Sequence, residues 1–120
     1  RLQWYDLMFG SSASPADNAF LFEVQKRTAA GTTPSAVTPQ PLDDGDTIAS
    51  TVVASNPPAA NGAGSGVKLS IPLNQRATFR WVAAPGSELT VPATASQGLA
   101  LATPTMTAVT INATILFNEL

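Results

Sequence analysis

The chain has 120 residues, no cysteine and no histidine, and 6 basic against 8 acidic residues, for a net charge of −2. These values exclude a disulfide framework, a thiol nucleophile, an imidazole metal ligand and a Ser-His-Asp triad. They also leave no broad basic surface for nucleic-acid phosphates, and the length predicts a single domain spanning residues 1–120.

The balance of residue types points to strands. Charged residues make up 12% of the chain, about half the usual quarter. Glu and Lys together number 5, whereas Thr, Val and Ile together number 26; the first group favours helices and the second strands. Ten prolines are spread along the chain and leave few gaps for a long helix. No apolar run reaches the roughly 20 residues of a membrane-spanning helix, and no secretory signal is visible. The chain opens on Arg1, which fits a product whose first residues have been removed.

In chain order, Leu2 to Phe9 reads as a first strand, and Gly10 to Pro15 as a turn. Ala19 to Thr28 is a second strand, with Phe20, Phe22 and Val24 on one face. Ala29 to Asp46 reads as a long connection with a short extended piece around Val37. Ile48 to Ala54 reads as a strand, with a short helix capped by Asp46 as the alternative. Ser55 to Gly66 is the most flexible segment by composition. Val67 to Leu73 is a strand in which Pro72 marks an edge or an end. Asn74-Gln75 turns the chain into Ala77 to Ala84, and Pro85-Gly86 forms a β-turn before Leu89 to Val91. Gly98 to Ala102 is a further short strand. Thr105 to Phe117 is the clearest strand of all: Val109, Ile111, Ala113, Ile115 and Phe117 alternate with mostly polar neighbours. Seven to nine short strands with Pro- and Gly-rich connections define an all-β domain, a β-sandwich of jelly-roll type, with an immunoglobulin-like sandwich close behind.

Candidate sites are few. Asp43-Asp44-Gly45-Asp46 looks like a fragment of a calcium loop, but the distal Glu and flanking helices of that motif are missing, so a polar turn is expected. Asp6, Glu23, Glu88 and Glu119 show no spacing that would pair two carboxylates for glycoside hydrolysis. Neither a Gly-x-Ser-x-Gly elbow nor a Gly-x-x-x-x-Gly-Lys phosphate loop occurs. Arg76, Arg80 and Trp81 form a cationic-aromatic cluster. Arg80 and Trp81 should face opposite sides of their strand, while Arg76 and Arg80 could share a face and pair with carboxylates across a subunit contact. Trp4 and Trp81 are expected in the core rather than on a ligand platform. Asn112-Ala113-Thr114 matches a glycosylation sequon within a strand.

Three stretches carry a family resemblance: Tyr5 to Ala19 (YDLMFGSSASPADNA), Ile71 to Gly86 (IPLNQRATFRWVAAPG) and Pro92 to Ala95 (PATA). Together they resemble a family of small tailed-phage virion proteins similar to capsid cement or decoration proteins. The stretches keep their order through most of the chain, and the middle from Ala29 to Gly66 departs from the family. The resemblance implies a structural, non-enzymatic protein on the virion capsid, made in the host cytoplasm. It implies a homo-trimer at three-fold positions that clamps the major capsid protein, with no cofactor, metal, membrane, nucleic-acid or small-molecule partner. On that reading the contact segments are Gly10 to Asn18 and Ala29 to Gly66. Asp17, Asn18, Asp43, Asp44, Arg76 and Arg80 are then the candidate contact residues. Another phage part (tail, connector or fibre-associated domain) is the nearest alternative. A carbohydrate-binding sandwich that uses Trp4, Tyr5 or Trp81 as a stacking platform is more distant.

Overall fold

A computed structural model of the protein describes residues 1–29, 31–32, 35–48, 54–55, 63–104 and 109–120. The strands are β1 (Leu2–Ala13), β2 (Ala19–Arg27), β3 (Ala36–Val37), β4 (Ala54–Ser55), β5 (Gly64–Asn74), β6 (Thr78–Val82), β7 (Leu89–Val91), β8 (Gly98–Ala102) and β9 (Thr110–Glu119). No helix occurs among the described residues, so none there is long and apolar enough to cross a membrane.

Two antiparallel sheets form a β-sandwich. In the first, β1 is central. β9 lies along one side of it from Leu2 to Ala13, while β6 and β7 share the other side end to end. In the second, β2 is central between β5 and β8. The two central strands supply Trp4, Leu7, Phe9, Phe22 and Val24 to the buried core, because a central strand is covered on both edges and on its inner face. β3 and β4 form a small separate pair.

Alternation aims the core residues. Phe22 and Val24 of β2, with Ile71 of β5, face Trp4, Leu7 and Phe9 of β1. The inward row of β1 changes parity between Trp4 and Leu7 because an extra residue, Tyr5, bulges out of the ladder with β9. Rings join the sheets: the Phe9 and Phe22 centroids are 4.2 Å apart, and Phe79 and Phe20 extend the group at 5.6 Å and 4.6 Å. Tilted pairs at such distances suit the ring quadrupoles.

The structure corrects several boundaries. Gly10 to Ala13 continue β1 instead of forming a turn, because Phe9 to Ala13 stay paired with β9. The turn comes later, and Ser14 adopts a positive φ of 52° at the exit. Gly64 to Gly66 belong to β5, paired with Lys26 and Arg27, and are not the end of a flexible segment. The residues expected to form the strand from Ile48 to Ala54 lie mostly outside the described residues; Ala54 is in β4. The short piece at Val37, the strands at 89–91 and 98–102 and the edge position of Pro72 are as expected. At Pro85-Gly86 the Ser87 N–H donates to the Ala84 carbonyl at 2.8 Å. Gly86 there has φ +83°, the third-position geometry of a type II turn.

Candidate functional site

The outer face of the first sheet carries the chain's best-defined polar arrangement. Beyond the Tyr5 bulge, Asp6, Met8 and Gly10 point away from the core. Across the ladder, Val82, Arg80 and Thr78 stand opposite them, so Asp6 and Arg80 are diagonal neighbours. The Arg80 guanidinium donates twice to the Asp6 carboxylate, Nη2 to Oδ2 at 2.6 Å and Nε to Oδ1 at 3.1 Å. This is the forked geometry that matches guanidinium to carboxylate. The Asp6 side chain is 5% exposed and the Arg80 side chain 60% exposed, so the pair is a buried acid capped by a solvated base. The hydrogen bond from Arg80 holds the Asp6 carboxyl below its usual range, with help from the positive charge and the Leu7 N–H, against the opposing effect of burial. The same contact raises the Arg80 pKa.

Beside this pair an open trough of about 480 Å³ is lined by Met8, Phe9, Thr78, Phe79, Arg80, Asn112 and Thr114. In the sheet beside it, Gly10 lies directly between Thr78 and Asn112. A β-carbon at Gly10 would come within 2.8 Å of Thr78 Cγ2, so only glycine lets the flanking strands approach this closely. The trough offers one guanidinium, already paired, and neutral side chains. Among its lining residues no nucleophile stands beside a base.

A second cluster ties the β1–β2 loop to the β5–β6 turn. Gln75 is 7% exposed. Its side-chain oxygen accepts from the Ala16 N–H at 2.8 Å, its carbonyl accepts from the Ser11 hydroxyl at 2.6 Å, and its N–H donates to the Asn18 carbonyl at 3.0 Å. Asn74 donates to the exposed Asp17 carboxylate at 2.8 Å, and its own side-chain oxygen accepts from the Arg76 N–H at 2.9 Å. Asp17 and Asn18 are thus fastened, and the loop from Ser14 to Asn18 is held on its inner side with its outer side exposed.

Asp43 and Asp44 lie elsewhere, on the connection between β2 and β5. The Asp43 side chain accepts from the Gly45 N–H at 2.9 Å, and its carbonyl accepts from the Asp46 N–H at the same distance. That is an Asx turn closing on itself. No group of three acidic residues fit to hold a metal ion occurs among the described residues. The connection also displays apolar side chains: Leu42 is 76% exposed and Ile48 50%.

The candidate contact residues therefore do not form one site. Arg80 and Trp81 do face opposite sides, with Trp81 packed against the core, but Arg80 is engaged within the chain by Asp6. Arg76 sits in the exposed turn near Asp17. Trp4 is buried in the core and offers no stacking platform. Gln75 was not among the candidates, and Asp6 was weighed only as a member of a carboxylate pair, not as a partner of Arg80. Asp6 had a legible signal: a lone carboxylate inside the apolar run Trp4-Tyr5-Asp6-Leu7-Met8-Phe9 needs a cation, and Arg80 sits in the matching run Phe79-Arg80-Trp81. Gln75 had no such signal, because its burial depends on how two loops meet.

Comparison with protein families, with curated proteins and with solved structures found no match.

Proposed function

We propose that this protein is a structural component of a tailed-phage head, a cement or decoration protein that bridges major capsid protein subunits as a homo-oligomer. The observation that carries the proposal is the connection from β2 to β5, which holds Leu42 and Ile48 out to solvent beside a self-closed acidic turn. A firm two-sheet body with an apolar arm suits attachment to a larger neutral surface. Burying a leucine or isoleucine side chain contributes roughly 1.5–3 kcal/mol, and symmetric copies on a shell multiply weak contacts. The family resemblance adds the head location, a trimer at three-fold positions and a non-enzymatic role. The outer-face trough and the fastened loop from Ser14 to Asn18 are further exposed surfaces for the same purpose.

The test is co-sedimentation with empty heads of the phage that encodes the chain. The wild-type protein is expected to bind near-stoichiometrically, and the double variant Leu42→Asp/Ile48→Asp to lose most of its occupancy while keeping its circular dichroism spectrum. A wild-type protein that stays in the supernatant refutes the head role. Full occupancy by the variant refutes the part assigned to the arm.

A further inference from the structure

The sandwich has four lateral edges, and three of them are blunted. β5 carries Pro72, the charge of Lys68 and two register breaks against β2, between Val24 and Gln25 and between Lys26 and Arg27. β8 is five residues long, with Pro104 just beyond it. β6 and β7 are short and are separated by the Pro85-Gly86 turn. These are the devices by which sheets avoid pairing edge to edge. β9 has none of them. It runs ten residues from Thr110 to Glu119 with no proline and one charge, at its very end. The register breaks of its ladder lie at Tyr5 and Ser12 of β1, so β9 itself is continuous. Among the described residues it pairs with β1 alone.

Its core-facing row is also incompletely covered. Ile111, Ile115 and Phe117 share the inward face with Leu7, Phe9 and Trp4 of β1, yet they are only half-buried, and Ala113 in the same row is exposed. Their β1 neighbours on that face are at most 5% exposed.

We infer that the edge of β9 that no described strand covers is a contact between two copies of this chain, paired antiparallel about a two-fold axis at Thr114. Three considerations select that register: a shared face for opposed residues, the longest overlap of Thr110–Glu119 with itself, and the place of Glu119. Residues opposite each other must share a face, so the axis must pass through a residue and not between two. Centring on Thr114 sets Ile111 against Phe117 of the second copy and Ala113 against Ile115 on the core side. It sets Thr110 against Asn118, Asn112 against Leu116 and Thr114 against Thr114 on the outer side. Each copy's Glu119 then falls outside the ladder, and the two carboxylates lie at opposite ends of the seam. Centring on Ile115 would instead press Glu119 onto Ile111. A parallel in-register pairing would put the two carboxylates side by side, which like charges disfavour. The result is one sheet continuous through both copies, with their two outer-face troughs on the same side. The seam is separate from any three-fold contact and does not depend on the head role: it gives dimers by itself and hexamers if a trimer also forms.

The experiment uses the absence of native cysteine. In Thr114→Cys the two thiols face each other across the axis, at the 4.5–5.5 Å Cα spacing of opposed strand residues, roughly what a disulfide spans. With diamide as oxidant this variant is expected to form a covalent dimer, while Ser70→Cys on the second sheet does not. In sedimentation equilibrium over a dilution series, Thr114→Lys is expected to halve the mass of the wild type. Mixing it with Thr114→Glu is expected to restore that mass. Thr114 is exposed and points away from the core, so these variants keep the monomer fold, which circular dichroism checks. A wild-type monomer or trimer whose mass Thr114→Lys leaves unchanged, with no crosslink at Thr114→Cys, overturns the inference. Head binding is read separately, so the seam and the head role fail independently.

Discussion

Phe22 is where the two sheets meet, and truncating it tests whether the sandwich is held there. The side chain is 1% exposed, and its ring contacts Phe9 of the opposite sheet at a centroid distance of 4.2 Å and Phe20 of its own strand at 4.6 Å. Phe22→Ala removes a whole ring from a site bounded by β-sheet backbone on both sides, which limits collapse into the gap. Such truncations cost roughly 3–5 kcal/mol. A domain of this size is stable by about 5–15 kcal/mol, and each kcal/mol moves its Tm by roughly 3–6 °C. The expected fall in Tm is therefore roughly 10–30 °C. Urea unfolding followed by tryptophan fluorescence is the assay, since Trp4 passes from a buried site to water. One fixed protein concentration keeps any association constant across variants. Phe20→Ala is the internal comparison: Phe20 is only half-buried, so its loss should be about half as large. If Phe22→Ala unfolds outright, Phe22→Leu supplies the measurement, with an expected cost of about 1.5 kcal/mol. A loss below about 1 kcal/mol for Phe22→Ala, or a larger loss for Phe20→Ala, would refute the claim that this ring contact anchors the sheets.

Three further outcomes follow from the geometry. Gly10→Ala is expected to destabilise by about 1–3 kcal/mol, because its new β-carbon meets the stiff Thr78 side chain at 2.8 Å. Adding Thr78→Ala should recover part of that loss in a double-mutant cycle by urea melts. Asp6 is held below its ordinary value of 3.8, so its contribution is complete above that pH and is lost as the pH falls through the lowered value. Asp6→Asn should be less stable than wild type at pH 7, with a flatter acid limb below about pH 4, in melts taken from pH 7 to pH 2. Gln75→Ala removes the acceptor for the Ala16 N–H. Amide exchange at Ala16 should then accelerate at least tenfold while the β2 core amides keep their protection, a local opening distinct from global unfolding.

The parts of the fold that were legible in the sequence are those where period-two alternation acts alone. β9 is the best case in its register, where Ile111, Ala113, Ile115 and Phe117 alternate without interruption because no bulge falls on that strand, but not in its bounds: it runs from Thr110 to Glu119 instead of Thr105 to Phe117, Val109 precedes it, and residues 105–108 lie outside the described residues. β1 was harder to delimit, since Gly10-Ser11-Ser12 has turn composition yet is strand. Pairing with β9 overrides the local preference there, and the close approach of Thr78 is what requires the glycine. The same override makes Gly64 and Gly66 part of β5, where Lys26 and Arg27 pair with them across a bulged ladder. Composition records what a segment does in isolation; a partner strand decides the rest.

The polar arrangement shows the complementary limit. Arg80 was visible as a cation in an apolar strand, and Asp6 as an acid in another, 74 residues away. Their pairing rests on the Tyr5 bulge. Were Tyr5 paired in plain alternation instead of bulged, Asp6 would keep the parity of Trp4 and point into the core. The bulge shifts it to the outer face, diagonal to Arg80, where a forked contact is available. A single bulge thus keeps a carboxylate out of the apolar core, where its charge would be untenable, and places it under the Arg80 guanidinium, where it is buried but paired. It also returns Leu7 and Phe9 to the core. Deleting Tyr5 would remove the bulge and set Trp4, Asp6 and Leu7 in plain alternation against Phe117, Leu116 and Ile115, so the ion pair and the core register are both expected to survive it; inserting one further residue there without a bulge would break both together.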